Sequence, residues 1–283
     1  MANSIAKFKA YVPMLDEVYK NGSLTAVLDS DTSLFQAGAN ANEIIIPKME
    51  LQGLADYSRA NGYDTGDVTL THETVKFNYE RGRMFTVDSI DNEETAGVAY
   101  GRLAGEFIRT KVVPEVDAVR FAEYSNLAGT KASADIADGD WYSAVSAGNA
   151  ELTNAEAPLD DRHLFITADG LKDIEDMDTT KSRKFMESFA SVVVVPQSRF
   201  YSAVDLATTG NGGYSKASTG KDINFMIVSK SAVLQFVKHA TPKVVTPDQN
   251  QDADAWKFGY RIYGLNDVYD NKIKGVYVHT AAS

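Results

Sequence analysis

The chain has no cysteine among its 283 residues. Disulfide bonds and thiolate metal sites are therefore excluded, which fits folding in a reducing cytoplasm. Long hydrophobic runs are also missing, because the most apolar stretch, residues 192–196, is far shorter than the roughly 20 residues that span a bilayer. The first ten residues show no signal-peptide layout. We therefore expect a chain that works without disulfides and without a membrane-spanning helix.

Positive charge is scarce. The 28 Lys and Arg residues are outnumbered by 39 Asp and Glu residues, which gives a formal net charge of −11. Such a surface repels phosphate, so tight binding of DNA by the chain as a whole is not expected. A weakly repelling wall can still line a compartment that holds DNA. With 44% hydrophobic and 24% charged residues, the composition is that of a folded globular protein.

Signatures of catalysis are absent from the sequence. Neither a Gly-x-Ser-x-Gly elbow nor a His-Glu-x-x-His motif occurs, and the glycine-rich run 210–213 lacks the lysine of a phosphate-binding loop. We interpret that run as a flexible surface loop. No two of the four histidines have the spacing of a metal pair: His72, His163, His239 and His279. We therefore expect no catalytic residue, no cofactor and no metal.

Aspartates concentrate in two polar loops, as Asp135, Asp138 and Asp140 in one and as Asp248, Asp252 and Asp254 in the other. The first set lacks the spacing and the terminal glutamate of an EF-hand. Both are interpreted as solvated acidic loops. The alternative is weak cation binding, particularly where symmetry brings copies of the late loop together.

The first ninety residues divide into two parts. Residues 1–42 are sparse in apolar patterns and are predicted to be an arm that lies on another surface. Residues 43–90 alternate apolar and polar side chains in short runs, which predicts β-strands, with residues 80–83 as a hairpin-turn candidate. Because a two-stranded ribbon is not stable alone in water, this part needs a partner surface. We expect both parts to be only marginally ordered in an isolated subunit.

The clearest helix is predicted over residues 91–128, where apolar residues recur at helical spacing. Asp91 is the expected N-cap, Pro114 the expected site of a kink, and Gly129 the expected end. Later residues predict short strands, a helix near 170–175, and a second helix that Ser229 would cap, with Val233, Phe236 and Val237 on its face. The mixture predicts an α+β fold.

The last sixty residues carry a recognisable series of sequence blocks: VSKSAV at 228–233, PDQNQDADAW at 247–256, YRIY at 260–263 and KGVY at 274–277. Pro158 with RHLFIT at 162–167, and VVPQSRF at 194–200, are two further blocks. With them, the chain resembles the major capsid proteins of tailed phages and prophages, particularly those of low-GC Gram-positive bacteria. The resemblance extends over nearly the whole chain and implies the Hong Kong 97-type capsid fold.

The element order of that fold can be carried over by position. It implies an N-terminal arm (1–42), an extended E-loop hairpin (43–90), a spine helix of the peripheral domain (91–128), most of an axial domain (129–240), peripheral strands and a loop (241–263), and a return to the axial domain (264–283). Arg81 and Arg83, at the expected hairpin tip, would meet carboxylates of an adjacent subunit. Asp248, Asp252 and Asp254 would lie near a threefold junction. Lys48 and Lys76 fall in the hairpin, but nothing marks either as a crosslinking residue.

The implied function is structural and not enzymatic: self-assembly, as hexamers and pentamers, into the icosahedral or prolate head shell of a virion that encloses double-stranded DNA without sequence-specific binding. Assembly would occur in the host bacterial cytoplasm. The chain begins directly with the arm, so a separate scaffolding protein is expected, together with a portal and a possible decoration protein; no membrane is involved. The alternatives are an encapsulin-like compartment that packages protein cargo, an unrecognised α+β enzyme, and a tail-tube or other virion protein.

Overall fold

The structure is a computed structural model, and it describes residues 22–31, 36–37, 43–57, 59, 62–94, 98–177 and 179–282. Most of the predicted arm therefore lies outside the described residues. The described strands are β1 (Gln36–Ala37), β2 (Glu43–Leu51), β3 (Val68–Lys76), β4 (Tyr79–Asp88), β5 (Thr130–Ser133), β6 (Arg162–Ile166), β7 (Ser191–Val194), β8 (Val204–Leu206), β9 (Tyr214–Lys216), β10 (Ile223–Ser229), β11 (Val233–Val245), β12 (Ala255–Val268) and β13 (Val276–Thr280). The described α-helices are α1 (Ser89–Glu94), α2 (Val98–Phe107), α3 (Val113–Leu127), α4 (Trp141–Asn154), α5 (Ala168–Glu175) and α6 (Thr179–Met186).

A five-stranded sheet in the order β5-β13-β10-β6-β7 forms the centre of one body. Its middle strands are buried on both faces, so their apolar residues point alternately to two cores. Phe165, Met226 and Val228 pack with Phe121 and Tyr124 of α3. On the opposite face, neighbouring residues of the same strands pack with α4 and α5. This body is therefore a helix–sheet–helix sandwich.

The second body is a three-stranded antiparallel sheet in the order β11-β12-β4. The inner face of β12, with Phe258, Tyr260 and Ile262, packs against Ile108 and Val116 of the long helical run. The two long strands run from Val233 to Val268. They therefore extend past both ends of the predicted peripheral segment, residues 241–263.

The predicted spine helix is present as α2 and α3 joined by a π-helical turn, Ile108–Val112. Pro114 stands in the first turn of α3, where a missing N–H costs nothing, so the strain is absorbed by the wider turn before it. The predicted cap is wrong by one turn: α1 starts at Ser89, and the Asp88 carboxylate accepts from the Ile90 amide. The end is close to the prediction, because α3 stops at Leu127.

Two local predictions are wrong. Residues 80–83 are not a turn but the interior of β4, paired with residues 260–263 of β12. Residues 233–237 are not a helix but the start of β11, paired with β12. In the second case Val233, Phe236 and Val237 have helical spacing by chance, because Leu234 and Gln235 between them are also buried. A strand buried on both faces gives no clean period.

Part of the predicted arm is fixed in its own chain. Leu28 is fully buried in the core that α3 shares with the five-stranded sheet. The buried Asp117 carboxylate accepts from the hydroxyls of Ser23 and Thr25 and from the backbone amide of Leu24, at 2.8–3.0 Å. The Gln235 side-chain amide donates to the Thr25 carbonyl at 2.8 Å. Residues 22–31 are therefore packed and hydrogen-bonded within the subunit.

Candidate functional site

The ribbon formed by β2 and β3 is the least globular feature of the molecule. Its strands pair antiparallel from Glu43 and Lys76 at one end to Leu51 and Val68 at the other. We call the first end the root and residues 51–70 the tip. β2 and β3 therefore form an extended hairpin, which is shorter than the predicted segment 43–90 because β4 belongs to the three-stranded sheet. The two ends of this hairpin lie in different surroundings.

The root is packed against the subunit itself. Ile44, Ile46 and Val75 are buried with Leu234 and Leu265 of the three-stranded sheet. Just beyond the root, the Phe77 ring lies 4.8 Å from that of Tyr263, with the Lys238 ammonium 4.9 Å above it. Aromatic and cation–π contacts of this kind orient the chain as it leaves the sheet. The base of the ribbon is therefore set by its own subunit.

No described residue outside the ribbon covers the tip. Its large apolar side chains are mostly exposed: Leu51, Leu54, Tyr57, Tyr63, Val68 and Leu70. Leu54 is fully exposed, and the rings of Tyr57 and Tyr63 lie 4.9 Å apart, edge to face. Exposed aspartates stand among them. A contiguous apolar patch with a polar rim is typical of a surface that binds another protein.

The outer face of the three-stranded sheet is the second uncovered surface. A groove of about 750 Å³ runs along β4, β12 and β11 there. Gly259 leaves its floor open, with Met84 and Lys243 beside it. Lys243 and Arg261 line this face of the groove, with His239 beside them and Glu80 paired to Arg261, whereas the Arg83 side chain projects to the opposite, inner face of β4. The groove therefore carries two cations and one carboxylate on a molecule that is acidic as a whole.

Arg81 and Arg83 do not lie at the hairpin tip, as the sequence had predicted, but in β4. The Arg81 guanidinium donates to Glu115 of α3 at 2.8 Å, and this partner raises the Arg81 pKa. Tyr79 donates to the same carboxylate at 3.1 Å. Arg83 is exposed and donates to the Gly210 carbonyl at 2.9 Å. Arg81 thus meets a carboxylate of its own chain; a role for either arginine between subunits stays a prediction.

The late aspartates are held partly within the subunit. Asp252 lies 2.6 Å from the Lys257 ammonium, which lowers the pKa of the Asp252 carboxyl. The Asp254 carboxylate accepts from the Ser89 hydroxyl at 2.9 Å, which ties the loop to the start of α1. Asp248 lies in a short 3₁₀ turn. Their place at a threefold junction stays a prediction.

Within the described ranges, no cluster of three or more His, Asp or Glu side chains has the geometry to hold a metal ion. No helix within them is long and apolar enough to cross a membrane. The two aspartate loops therefore gain no support as cation sites.

Histidines are spread over separate elements. His163 is buried, with its Nδ1 2.7 Å from the Ser191 hydroxyl, and His279 is buried with its Nδ1 3.1 Å from the Asn224 amide. Burial lowers the pKa of both rings. Asp161 lies 3.8 Å from the His163 Nε2. Although Ser, His and Asp thus meet, the His163 Nε2 atom is enclosed by the protein.

Sequence reasoning missed the apolar tip, because residues 56–67 are rich in Gly, Asn, Asp and Ser. The signal that could have revealed it is the pair of tyrosines, Tyr57 and Tyr63, in a segment otherwise rich in Gly, Asn, Asp and Ser. Aromatic residues without an apolar period are unusual in a merely solvated loop.

Comparison with known proteins identifies the fold. No family model matches the chain, and no curated protein sequence matches it. Solved structures do. A chain of the asymmetric unit of the bacteriophage PhiM1 mature capsid aligns with a TM-score of 0.62 at 11% identity, over 87% of this chain and 84% of that chain.

Two further structures are similar to the same extent. The capsid of the Myoviridae phage XM1 gives a TM-score of 0.56 at 12% identity, over 91% of this chain and 90% of that one. The virus-like particle from Pyrococcus furiosus gives 0.58 at 11% identity, over 96% and 98%. At such identities the likeness establishes the fold, and the fold expected from the late sequence blocks is confirmed.

Proposed function

We propose that this chain, which has the Hong Kong 97-type capsid fold, is a structural subunit that assembles with copies of itself into a closed shell. One observation carries the proposal: a ribbon whose root is packed in its own subunit ends in an uncovered apolar tip. Burying such a patch against another copy is favourable at roughly 25 cal/mol per Å² of apolar area. In a monomer the tip exposes apolar surface to water, whereas in a shell a neighbouring copy can bury that surface.

The groove on the three-stranded sheet is the proposed receptor for a neighbour's tip. The tip carries Asp56, Asp64 and Asp67 against one described arginine, Arg59, so it is acidic. The groove carries the cations Lys243 and Arg261 and has a glycine in its floor, which leaves room for a side chain to lie against the strands. Complementary charge of this kind sets orientation and association rate more than affinity.

The shell is proposed to be the head of a tailed phage that encloses double-stranded DNA. Support comes from the phage capsids among the structures of similar fold and from the acidic surface, which does not trap a polyanion. Hexamers and pentamers, a virion location, assembly in a bacterial cytoplasm, and scaffolding, portal and decoration partners follow from the sequence resemblance. The division into arm, spine, peripheral and axial parts is proposed on the same basis.

A protein-filled compartment is the second candidate. A virus-like particle from Pyrococcus furiosus, aligned over 96% of this chain, is among the structures of similar fold and is consistent with a shell of either kind. The contents of purified particles separate the two candidates. Particles from infected or induced cells that contain nuclease-protected double-stranded DNA support the phage head, and particles that contain only a second protein support the compartment.

Negative-stain imaging of the purified chain and its variants tests assembly. Closed shells are expected from the wild type. Leu54→Ser with Tyr63→Ser should leave the subunit folded and reduce shell formation strongly, because the apolar tip is lost. Leu159→Ser is the matched control, since Leu159 is also exposed but lies outside the ribbon and the groove. Normal shells from the tip variant would refute the role of the tip.

Charge reversal tests the receptor. Lys243→Glu should slow assembly, and Asp64→Lys with Asp67→Lys in the same chain should restore part of the rate. If Lys243→Glu assembles at the wild-type rate, the tip docks elsewhere, although the shell proposal itself stands.

A further inference from the structure

The composition of residues 207–213 suggested a flexible surface loop, but the loop is bonded to β4. It connects β8 to β9 and lies over the inner side of β4, where Arg81 and Arg83 project on the same face of the strand. Arg81 donates to the carbonyls of Ala207 and Gly213 at 2.9 and 3.4 Å, and Arg83 donates to that of Gly210 at 2.9 Å. Two arginines thus hold three carbonyls of one loop.

The loop has the conformation that this arrangement needs. Gly210, Gly212 and Gly213 all have positive φ, between 66° and 88°, which other residues rarely adopt. At Gly212 a Cβ atom would lie 2.8 Å from the Arg83 guanidinium, so a side chain there would collide with it. The glycines therefore allow the loop both to turn its carbonyls inward and to approach the arginine.

The two arginines are held very differently. Arg81 is mostly buried and fixed by Glu115, whose side chain is only 11% exposed. Removing Arg81 would leave that carboxylate buried without its cation, which unfolds structure around it. Arg83 is exposed, and its recorded partner is the loop carbonyl. Exposed contacts of this kind are weak and are screened by salt.

The loop residues bring no apolar anchor of their own. The stretch from Thr208 to Gly213 consists of Thr, Gly and Asn, and its outer part is exposed. The hairpin below it is attached to the five-stranded body through the Tyr214 hydroxyl, which donates to the Ser198 carbonyl at 2.9 Å. Leu206, just before the loop, packs against the core of the three-stranded sheet, whereas the loop itself is held by polar contacts.

We propose that Arg81, Arg83 and the loop 207–213 form an electrostatic clasp between β4 and the β8–β9 hairpin, which opens while the subunit stays folded. Arg81 with Glu115 is the fixed half and Arg83 is the releasable half. The clasp acts within one chain and goes beyond the proposed assembly, so it is testable on unassembled subunits. The ribbon strand β3 leads directly into β4, so the clasp acts on the strand that follows the ribbon.

Hydrogen exchange of the unassembled subunit tests the clasp. The amides of Ala207 and Gly212 are bonded inside the loop, to Gly213 and Thr209, and report its opening. Arg83→Gln should raise their exchange by about twofold to fivefold, the range for a surface contact of this kind. About 1 M salt should do the same to the wild type and little to the variant. Arg109→Gln is the control, because Arg109 pairs only with Glu106 of the neighbouring turn.

Gly212→Ala gives an independent arm, since its methyl group displaces Arg83 without removing the charge, and Gly210→Ala measures the strain that a methyl group causes at a positive φ with open space around it. If the clasp exists, the part of the Gly212→Ala effect that exceeds the Gly210→Ala effect is not additive with Arg83→Gln in the double variant, because both break one contact. Additive effects would overturn the clasp, as would loop exchange that neither Arg83→Gln nor salt changes. Exchange that rises equally in the core strand β10 would show that Arg83 supports the whole fold, which also overturns it.

Discussion

The root and the tip of the ribbon are built from the same two strands but lie in opposite surroundings. At the root, Ile44 and Val75 are buried against the three-stranded sheet, whereas at the tip Leu54 and Tyr63 stand in solvent. The register is continuous between them. The two ends therefore have the same strand pairing and differ in burial. The subunit packs against the root, and its described residues leave the tip exposed.

This difference separates what a subunit does alone from what it needs neighbours to do. The root fixes the direction in which the ribbon leaves the subunit, through contacts within one chain. The exposed apolar surface of the tip is proposed to bind a second copy. Four measurements test this division, beginning with the largest expected effect.

Leu265→Ala tests how much packing at the root contributes to the stability of the subunit. Leu265 is fully buried against the ribbon strands, so its loss leaves a cavity that lowers the free energy of unfolding by about 2–5 kcal/mol. Denaturant unfolding of the subunit measures it, with the exposed Leu159→Ala as control. A loss below that of the control would mean that the root is not part of the core.

Asp117→Asn asks whether residues 22–31 belong with the anchored root or with the free tip. One Asp117 oxygen accepts from the Ser23 and Thr25 hydroxyls and the other from the Leu24 amide, so an amide nitrogen in place of either oxygen leaves at least one donor unpaired, at a cost of about 1–3 kcal/mol. The unfolding midpoint should fall and exchange at residues 23–28 should rise. Asp160→Asn, on the surface, is the control. Unchanged exchange at 23–28 would place the segment's anchor elsewhere.

Acidification should weaken the five-stranded body before the ribbon root. Burial lowers the pKa of His163 and His279 in the folded state, so the unfolded state takes up protons first. Stability is therefore complete above the ordinary histidine pKa of about 6.5 and falls as the pH drops below it towards the folded values. Burial raises the pKa of Glu123 and Asp267, which favours folding at still lower pH, so the test is kept above about pH 5.5.

Unfolding titrations between neutral pH and that limit measure the slope. Replacing both buried histidines by glutamine should flatten it, while His72→Gln, on the exposed side of the ribbon, should not. A slope that survives the loss of both rings would have to come from other groups.

Leu54→Ala should have the smallest effect on the subunit. Because Leu54 makes no buried contact in its own chain, its truncation changes the free energy of unfolding by less than about 0.5 kcal/mol. Calorimetry of unassembled protein measures this. A large loss would mean that the tip is packed in the free subunit, which would erase its contrast with the root.

Sequence reasoning predicted the elements better than their contacts. Alternation in 43–46 and 68–76 revealed the ribbon, and regular spacing after residue 98 revealed the spine. It failed at residues 80–83, where a glycine between two arginines imitates a turn, and at 233–237, where burial on both faces imitates a helix. It could not pair Arg81 with Glu115, because 34 residues and a change of element separate them.

The π-turn at Ile108–Val112 has a consequence for comparing this chain with others. A turn that closes after one extra residue shifts every later side chain by about 100° around the axis relative to a plain α-helix. Across this turn, Ile108 at its start and Val116 after it pack in the same core against the three-stranded sheet. A homologous spine without the bulge would be one residue shorter. In a correct sequence alignment with such a homologue, the gap would fall at residues 108–112. A gap placed elsewhere would match core residues of one chain with surface residues of the other.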